Sequence, residues 1–221
     1  MIDLKDITLV AIVGSENMLD NTKLAFDHCM SQANFGDCQF LSCKDNIPYM
    51  NTAMYNEFCI KELTNYVNTD FCLVIQWDGY IIDTDYWTNE FLEYDYIGSP
   101  WAGWNFAIGN GGFSLRSKKF LDVCSKLNYD SKAHFKAGFD EKTFISDRGF
   151  TTPEDWFICI YKNEFMVENN IKFPSPELAY QFAVEHQGPP IKTFDREDIT
   201  TYKSFGFHGN FNKAGMEVLY K

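Results

Sequence analysis

Thr8-Leu9-Val10-Ala11-Ile12-Val13 is a continuous β-forming run in which no polar residue alternates with the apolar ones. A strand with no polar face must be covered on both sides, which places it inside a sheet flanked by helices. It stops at Gly14-Ser15, and Asp20 to Gln32 then shows helical spacing, with Leu24, Phe26 and Cys29 expected to face inward. Cys38 to Cys43 reads as a second strand. Thr52 to Val67 reads as a second helix, with Tyr55, Phe58, Cys59, Leu63 and Tyr66 near a three-to-four residue period. Phe71 to Gln76 is a third strand, cut off by Asp78-Gly79. The order β-α-β-α-β predicts an α/β fold with a parallel sheet and right-handed crossovers. Ligands bind such sheets beyond the carboxyl ends of the strands. Gly14-Ser15, Ser42 to Lys44 and Gln76 to Gly79 are therefore expected to converge on one crevice.

The second half is less regular. Tyr94 to Gly98 and Gly112 to Arg116 read as short strands, the latter followed by a helix from Lys118 to Lys126. Asn128 to Thr151 is polar and rich in Gly and Asp, which predicts a long loop ordering over a substrate. Pro153-Glu154-Asp155 opens a helix to about Asn169, with proline in the first turn and acids at the positive end of the helix dipole. A further strand and turn are expected between Phe173 and Val184, and a last short strand in Ser204 to Gly209. No repeat or linker-like stretch divides the chain, so it is read as one domain.

Composition limits the function. At 221 residues, 45% hydrophobic and 17% aromatic, the chain has enough apolar material for a substantial core. A net charge of −12 disfavours a surface built to hold nucleic acid. A nucleotide-sized ligand stays open, because one bound cation can supply the local positive charge. No apolar run approaches the roughly 20 residues that span a bilayer, and Met1 to Asp6 lacks a signal-peptide layout. The seven cysteines form no Cys-x-x-Cys pair, and several lie in apolar segments, as Cys72 does in Phe71 to Ile75, and read as small core residues; a reducing, cytoplasmic setting is expected.

Four segments carry candidate chemistry. In Gln76-Trp77-Asp78-Gly79 a carboxylate just past a buried strand suits a divalent cation bridging two phosphates, although an Asp-Gly turn without further role fits the tetrapeptide equally well. His208, between Phe207 and Gly209, follows an aromatic strand. A lone histidine is more often a hydrogen-bonded residue than a ligand, but imidazole beside carboxylate suits Mn²⁺ better than Ca²⁺. Asn110-Gly111-Gly112 before a strand allows close backbone approach to a ligand, or marks a bulge. No Gly-Lys-Ser/Thr follows, so it is not a phosphate loop of that type. Glu154 and Asp155 serve as helix-start residues, as a general base toward a hydroxyl, or as both.

Thr69 to Gly79, Phe91 to Trp101, Gly109 to Ser117, Pro153 to Asp155 and Phe205 to Gly209, taken in order, resemble a family of small GT-A-type glycosyltransferases found in bacteria, large DNA viruses and phages. The resemblance implies a GT-A-like single domain over 1–221, with a mostly parallel central sheet flanked by helices. Its Rossmann-like half, about 8–100, would bind the nucleotide sugar, and about 101–221 would bind the acceptor. Such enzymes usually hold their metal with Asp-x-Asp; here the first position is Gln76. The implied metal ligands are Asp78 and His208, holding Mn²⁺ (or Mg²⁺). The implied donor contacts are Val13, Gly14, Ser15, Gln76, Trp77, Asp78, Gly79, Asn110, Gly111, Gly112, Arg116 and Lys213, the last two toward phosphate. Asp155, with Glu154 in reserve, is the implied base of an inverting reaction. Trp101 and Trp104 are candidates to stack on a sugar face, and core or lid packing suits them equally. The implied activity is transfer from a nucleoside-diphosphate sugar, UDP-sugar first, to a glycan or glycoprotein hydroxyl. Two other classes compete: a sugar nucleotidyltransferase, which normally has a basic loop where Gly14 to Leu19 has none, and a non-catalytic carbohydrate-binding module.

Overall fold

The computed structural model describes residues 1–101, 109–133, 151–185, 203–210 and 213–220. Its centre is a five-stranded sheet in the order β2-β1-β3-β5-β4. The strands are β1 (Ile2–Val13), β2 (Ala33–Ser42), β3 (Phe71–Ile75), β4 (Tyr96–Gly98) and β5 (Ser114–Ser117). The run that opens the sequence sits in the middle. Its alternate residues serve two cores, as a period of two requires. Ile7, Leu9 and Ala11 join Leu73, Ile75 and the helix α1 (Leu19–Gln32) on one side. Val10 and Ile12 join Cys72, Val74, α2 (Thr52–Lys61) and α3 (Lys118–Cys124) on the other.

Helix α1 buries Thr22, Ala25, Phe26 and Cys29, spaced three, four and seven residues from the first. Leu24 was expected on this face but is 43% exposed, because it lies about 100° per residue away from the Ala25–Cys29 stripe. The expected helix over Thr52–Val67 divides into α2 and a 3-10 turn at Leu63–Tyr66.

The expected mostly parallel sheet needs correction. β1 pairs in parallel with β2 and β3, but β5 runs antiparallel to both β3 and β4. A parallel crossover takes a dozen or more residues and usually a helix. β3 and β4 still run in the same direction, joined by a connection with 3-10 turns at Thr84–Tyr86 and Asn89–Glu93 in place of an α-helix, and it is β5, returning between them, that runs against both. The reversal matters, because it brings the segment before β5 to the edge where the parallel strands end.

The helix expected from Pro153 to Asn169 is present as Glu154–Trp156 and Asn163–Glu168, joined by a π turn at Phe157–Tyr161. Between Phe173 and Val184 the expected strand is confined to the last two residues, and a helix, Pro176–Phe182, capped by Ser175 accepting from Leu178 N–H, stands before it. The helix delivers β6 (Ala183–Val184), which pairs in parallel with β7 (Gly206–Phe207). Phe113, Phe182 and Phe205 stack beneath this pair, with ring centroids 5.2 Å apart for Phe113–Phe182 and 6.0 Å for Phe182–Phe205. Such ring pairs contribute about 0.5–1.5 kcal/mol each beyond their buried area. Phe113 lies against Gly206, so this ring cluster packs under the strand that leads to His208.

All seven cysteines are free, and Cys29, Cys59, Cys72, Cys124 and Cys159 are buried. Burial pushes the Cys29 and Cys72 thiols up to about 12, so these are packing groups and not nucleophiles. Among the described residues no helix is long and apolar enough to cross a membrane. Most of the Asn128–Thr151 stretch, and Trp104, lie outside the described residues.

Candidate functional site

Because β1 and β3 are parallel, Val13-Gly14-Ser15 and Gln76 to Gly79 leave the sheet at the same edge. The chain after β2 folds onto the end of β1: Cys43 N–H donates to Val13 O at 2.8 Å and Met50 N–H to Gly14 O at 2.9 Å. At the end of β3, Gln76 and Gly79 exchange both backbone hydrogen bonds at 3.1 Å, leaving Trp77 and Asp78 at the tip of a two-residue turn. Asp78 is then held by the last part of the chain. Gly209 N–H donates to its carbonyl at 2.8 Å and Asn210 N–H to its Oδ2 at 3.2 Å. Gly209 has φ 105°, a conformation in which a Cβ is strained.

Tyr220 closes the outer side of this turn, with its hydroxyl donating toward Trp77 O at 3.1 Å and Asn21 O at 3.0 Å. Its ring meets Trp77 edge-on at 6.4 Å. Burial, with the Asp78 charge adding to it, pushes the Tyr220 phenol up to about 12. It stays a neutral donor at physiological pH.

The antiparallel register Val74↔Ser114 sets Gly112 opposite Gln76, two residues before one and two after the other. His208 enters between them. Its imidazole occupies a slot walled by two glycines. A Cβ at Gly79 would stand 2.9 Å from His208 Cδ2, and one at Gly112 would fall on Nε2 and Cδ2. His208 Nε2 faces Asp78 Oδ1 at 3.8 Å and Gln76 Oε1 at 3.3 Å, and Nδ1 faces Glu185 Oε1 at 3.1 Å. Gly112 has no positive φ, so alanine there meets a steric obstacle and no backbone strain. Gly112→Ala is expected to cost about 1–3 kcal/mol through overpacking. It should also shift the His208 ring resonances, as read by thermal melting and by heteronuclear NMR. Unchanged ring resonances would refute the slot.

The glycine pair is tied to the acidic pair. Gly111 N–H donates to Asp155 Oδ2 at 2.9 Å, and Gly111 O accepts from Arg116 Nη2 at 3.1 Å. Arg116 Nη2 also donates to Glu154 Oε1 at 3.0 Å, within an ion pair whose side chains are 1% and 8% exposed. A guanidinium so far from water requires a counter-charge, and Glu154 provides it.

These contacts sort the expected residues. Gln76, Asp78, Gly79, Asn110, Gly111, Gly112, Asp155 and His208 come together, and Val13, Gly14, Ser15 and Trp77 lie along the same edge. Arg116 does not serve as expected: as the buried partner of Glu154 it cannot present itself to a phosphate. Glu154 is engaged by the same pair, and Asp155 accepts from the backbone N–H groups of Gly111 and Trp156. Lys213 opens the short helix Lys213–Met216, and its side chain lies outside the described residues. Trp101 packs on Trp156 with centroids 5.7 Å apart.

Sequence reading missed Tyr55 and Glu185. Tyr55 Oη stands 2.9 Å from Gln76 Nε2, and burial, the largest of several causes, raises its phenol well above the usual range. Glu185 follows Ala183-Val184, an acid after a short apolar strand like Asp78 after β3. The register Val184↔Phe207 carries it beside His208.

A family described as "Protein of unknown function (DUF5672)" matches residues 37–208, and the chain belongs to it. The matched stretch includes both Asp78 and His208. A search of curated proteins finds no match. Among solved structures, the chain is similar to a glycosyltransferase involved in the glycosylation of the major capsid of PBCV-1. That match has a TM-score of 0.50 at 15% identity and covers 96% of this chain and 98% of that one. A197 from STIV matches at a TM-score of 0.39 and 16% identity, over 80% of this chain and 83% of that one. The first likeness is one of fold: the α/β fold of this chain, with its mixed five-stranded sheet, resembles that of the glycosyltransferase.

Proposed function

We propose that this protein is a glycosyltransferase that moves a sugar from a nucleoside-diphosphate sugar, UDP-sugar first, to a hydroxyl of a glycan or glycoprotein. The observation that carries the reading is the meeting of Asp78, His208, the Gly111-Gly112 backbone and Asp155 at the carboxyl edge of the sheet. The likeness in fold to a viral glycosyltransferase supports it.

Asp78 Oδ1 and His208 Nε2, 3.8 Å apart, make an oxygen and nitrogen donor pair that suits Mn²⁺ (or Mg²⁺). Among the described residues no group of three or more His, Cys, Asp or Glu side chains is arranged to hold a metal ion. The remaining positions would fall to phosphate oxygens and water, as is usual where a cation binds together with a nucleotide. When bound, the ion would assist departure of the diphosphate as a Lewis acid.

The protein's own groups do the rest. The nucleoside would lie at the end of β1, near Val13, Gly14 and Ser15, where the Val13 and Gly14 carbonyls are held by Cys43 and Met50. Gly111 and Gly112, without side chains, let the sugar approach the sheet edge. Asp155 takes the proton of the acceptor hydroxyl as its oxygen bonds to the anomeric carbon. The bond from that carbon to the diphosphate oxygen breaks, the electron pair leaves with the nucleotide, and the anomeric centre inverts.

A screen of UDP-, GDP- and dTDP-sugars, scored by nucleotide release with Mn²⁺ present, tests the reading. Release from one nucleotide class is expected. Folded protein that neither binds nor cleaves any of them would count against it.

A further inference from the structure

We propose that Glu185 is a positioning residue that fixes the proton of the His208 imidazole on Nδ1 and leaves the Nε2 lone pair facing Asp78. The contact is direct: Glu185 Oε1 lies 3.1 Å from His208 Nδ1. The same oxygen accepts from Asn110 Nδ2 at 3.1 Å. A carboxylate oxygen only accepts hydrogen bonds, so the nitrogen facing it carries the hydrogen. In neutral imidazole the other nitrogen is then bare.

The neighbours on the Glu185 side fix this arrangement. Asn110 Oδ1 takes Gly112 N–H at 2.8 Å, which commits its amide nitrogen to Glu185. Gly112 in turn forms one wall of the imidazole slot. The chain Gly112, Asn110, Glu185, His208 is thus a closed circuit, linking the glycine loop, β6 and the residue after β7. On the far side of the ring Gln76 Oε1 lies 3.3 Å from Nε2 and Gln76 Nε2 donates to Tyr55 Oη at 2.9 Å, so a bare Nε2 requires the amide to be turned. A glutamine amide exchanges its oxygen and nitrogen by a half-turn. In the turned form the Tyr55 hydroxyl donates to the amide oxygen, and the amide N–H points at Nε2. Tyr55 keeps its proton for this role because burial raises its phenol.

The consequence for function rests on the proposed reading of the site. A histidine that ligates a cation through one nitrogen commonly gives its other N–H to a carboxylate, which sets ring orientation and raises basicity. The position of the proton itself depends on no cation.

The test uses the full chain, metal-free and labelled with nitrogen-15, at a pH where imidazole is neutral. Two-bond correlations distinguish protonated from bare ring nitrogens, and the His208 ring is assigned by its loss in His208→Asn. The wild-type ring is expected to be protonated at Nδ1. In Glu185→Ala the proton is expected to move to Nε2 or to exchange between the two nitrogens. Glu185→Gln, which keeps a carbonyl acceptor, should restore the wild-type pattern in part. A wild-type ring protonated at Nε2, or an alanine variant with unchanged tautomer, overturns the proposal. The wild-type measurement decides even if the alanine variant fails to fold. Titration with Mn²⁺ alone is expected to show affinity about 10–100-fold weaker in Glu185→Ala; equal affinity in the two proteins also overturns it. Failure of the wild type to bind Mn²⁺ would remove the metal from the proposed function, and the proton position would still decide the role of Glu185.

Discussion

Replacing Asp78 with alanine is expected to reduce sugar transfer and donor hydrolysis by at least about a hundredfold, or about 2.7 kcal/mol in the barrier. The carboxylate is the one acid on the turn that ends β3, and it faces His208 Nε2 at 3.8 Å. Its loss removes the charge expected to hold a cation against the diphosphate. It also removes the acceptor for Asn210 N–H, so alanine alone would confuse chemistry with anchoring. Asp78→Asn separates the two, since an amide oxygen still accepts from Asn210 but carries no charge. Both variants should lose turnover, while the asparagine variant melts close to wild type. Full nucleotide release by either folded variant would remove Asp78 from the chemistry.

Asp155→Asn is expected to lower transfer by about 10²–10⁴-fold, the usual contribution of a positioned general base, while calorimetry shows nucleotide binding retained. The geometry adds a cost that must be measured alongside. Both carboxylate oxygens are used by backbone: Oδ2 accepts from Gly111 N–H at 2.9 Å and Oδ1 from Trp156 N–H at 2.8 Å. Asparagine has one oxygen, so one of these donors will face an NH₂ group, which costs about 1–3 kcal/mol. The melting temperature should therefore fall by several degrees, about 2–4 °C per kcal/mol for a chain of this size. A variant that loses stability but keeps transfer would make Asp155 a brace for the glycine loop. The base would then have to be sought elsewhere.

How much of this was legible in the sequence depended on the range of the interaction. Leu9 to Val13 predicted its own burial because a run without polar residues has only one stable setting. Gln76 to Gly79 was recognisable as the end of a strand for the same local reason. Leu24 was misplaced because Leu and Ala are both acceptable on a buried stripe, and tertiary packing chose Ala25. The direction of β5 left no local mark, since its four residues Ser114–Ser117 would suit either pairing. Arg116 was read as a phosphate contact because charge suggests exposure. Its partner Glu154 lies 38 residues away, and only the fold shows that the two neutralise each other. Glu185 was invisible for a related reason: a pairing of two-residue strands supplies its neighbour. A strand that short has no period to read.

The slot around His208 has a consequence for how this sequence is able to drift. Positions 79, 112 and 208 behave as one unit. Neither glycine can acquire a side chain without displacing the imidazole, and a smaller residue at 208 would leave a void against two bare backbones. Single substitutions at any of the three leave a misfit that only a matching change at another repairs. Inheritance is therefore expected to keep the three residues together or to replace them together.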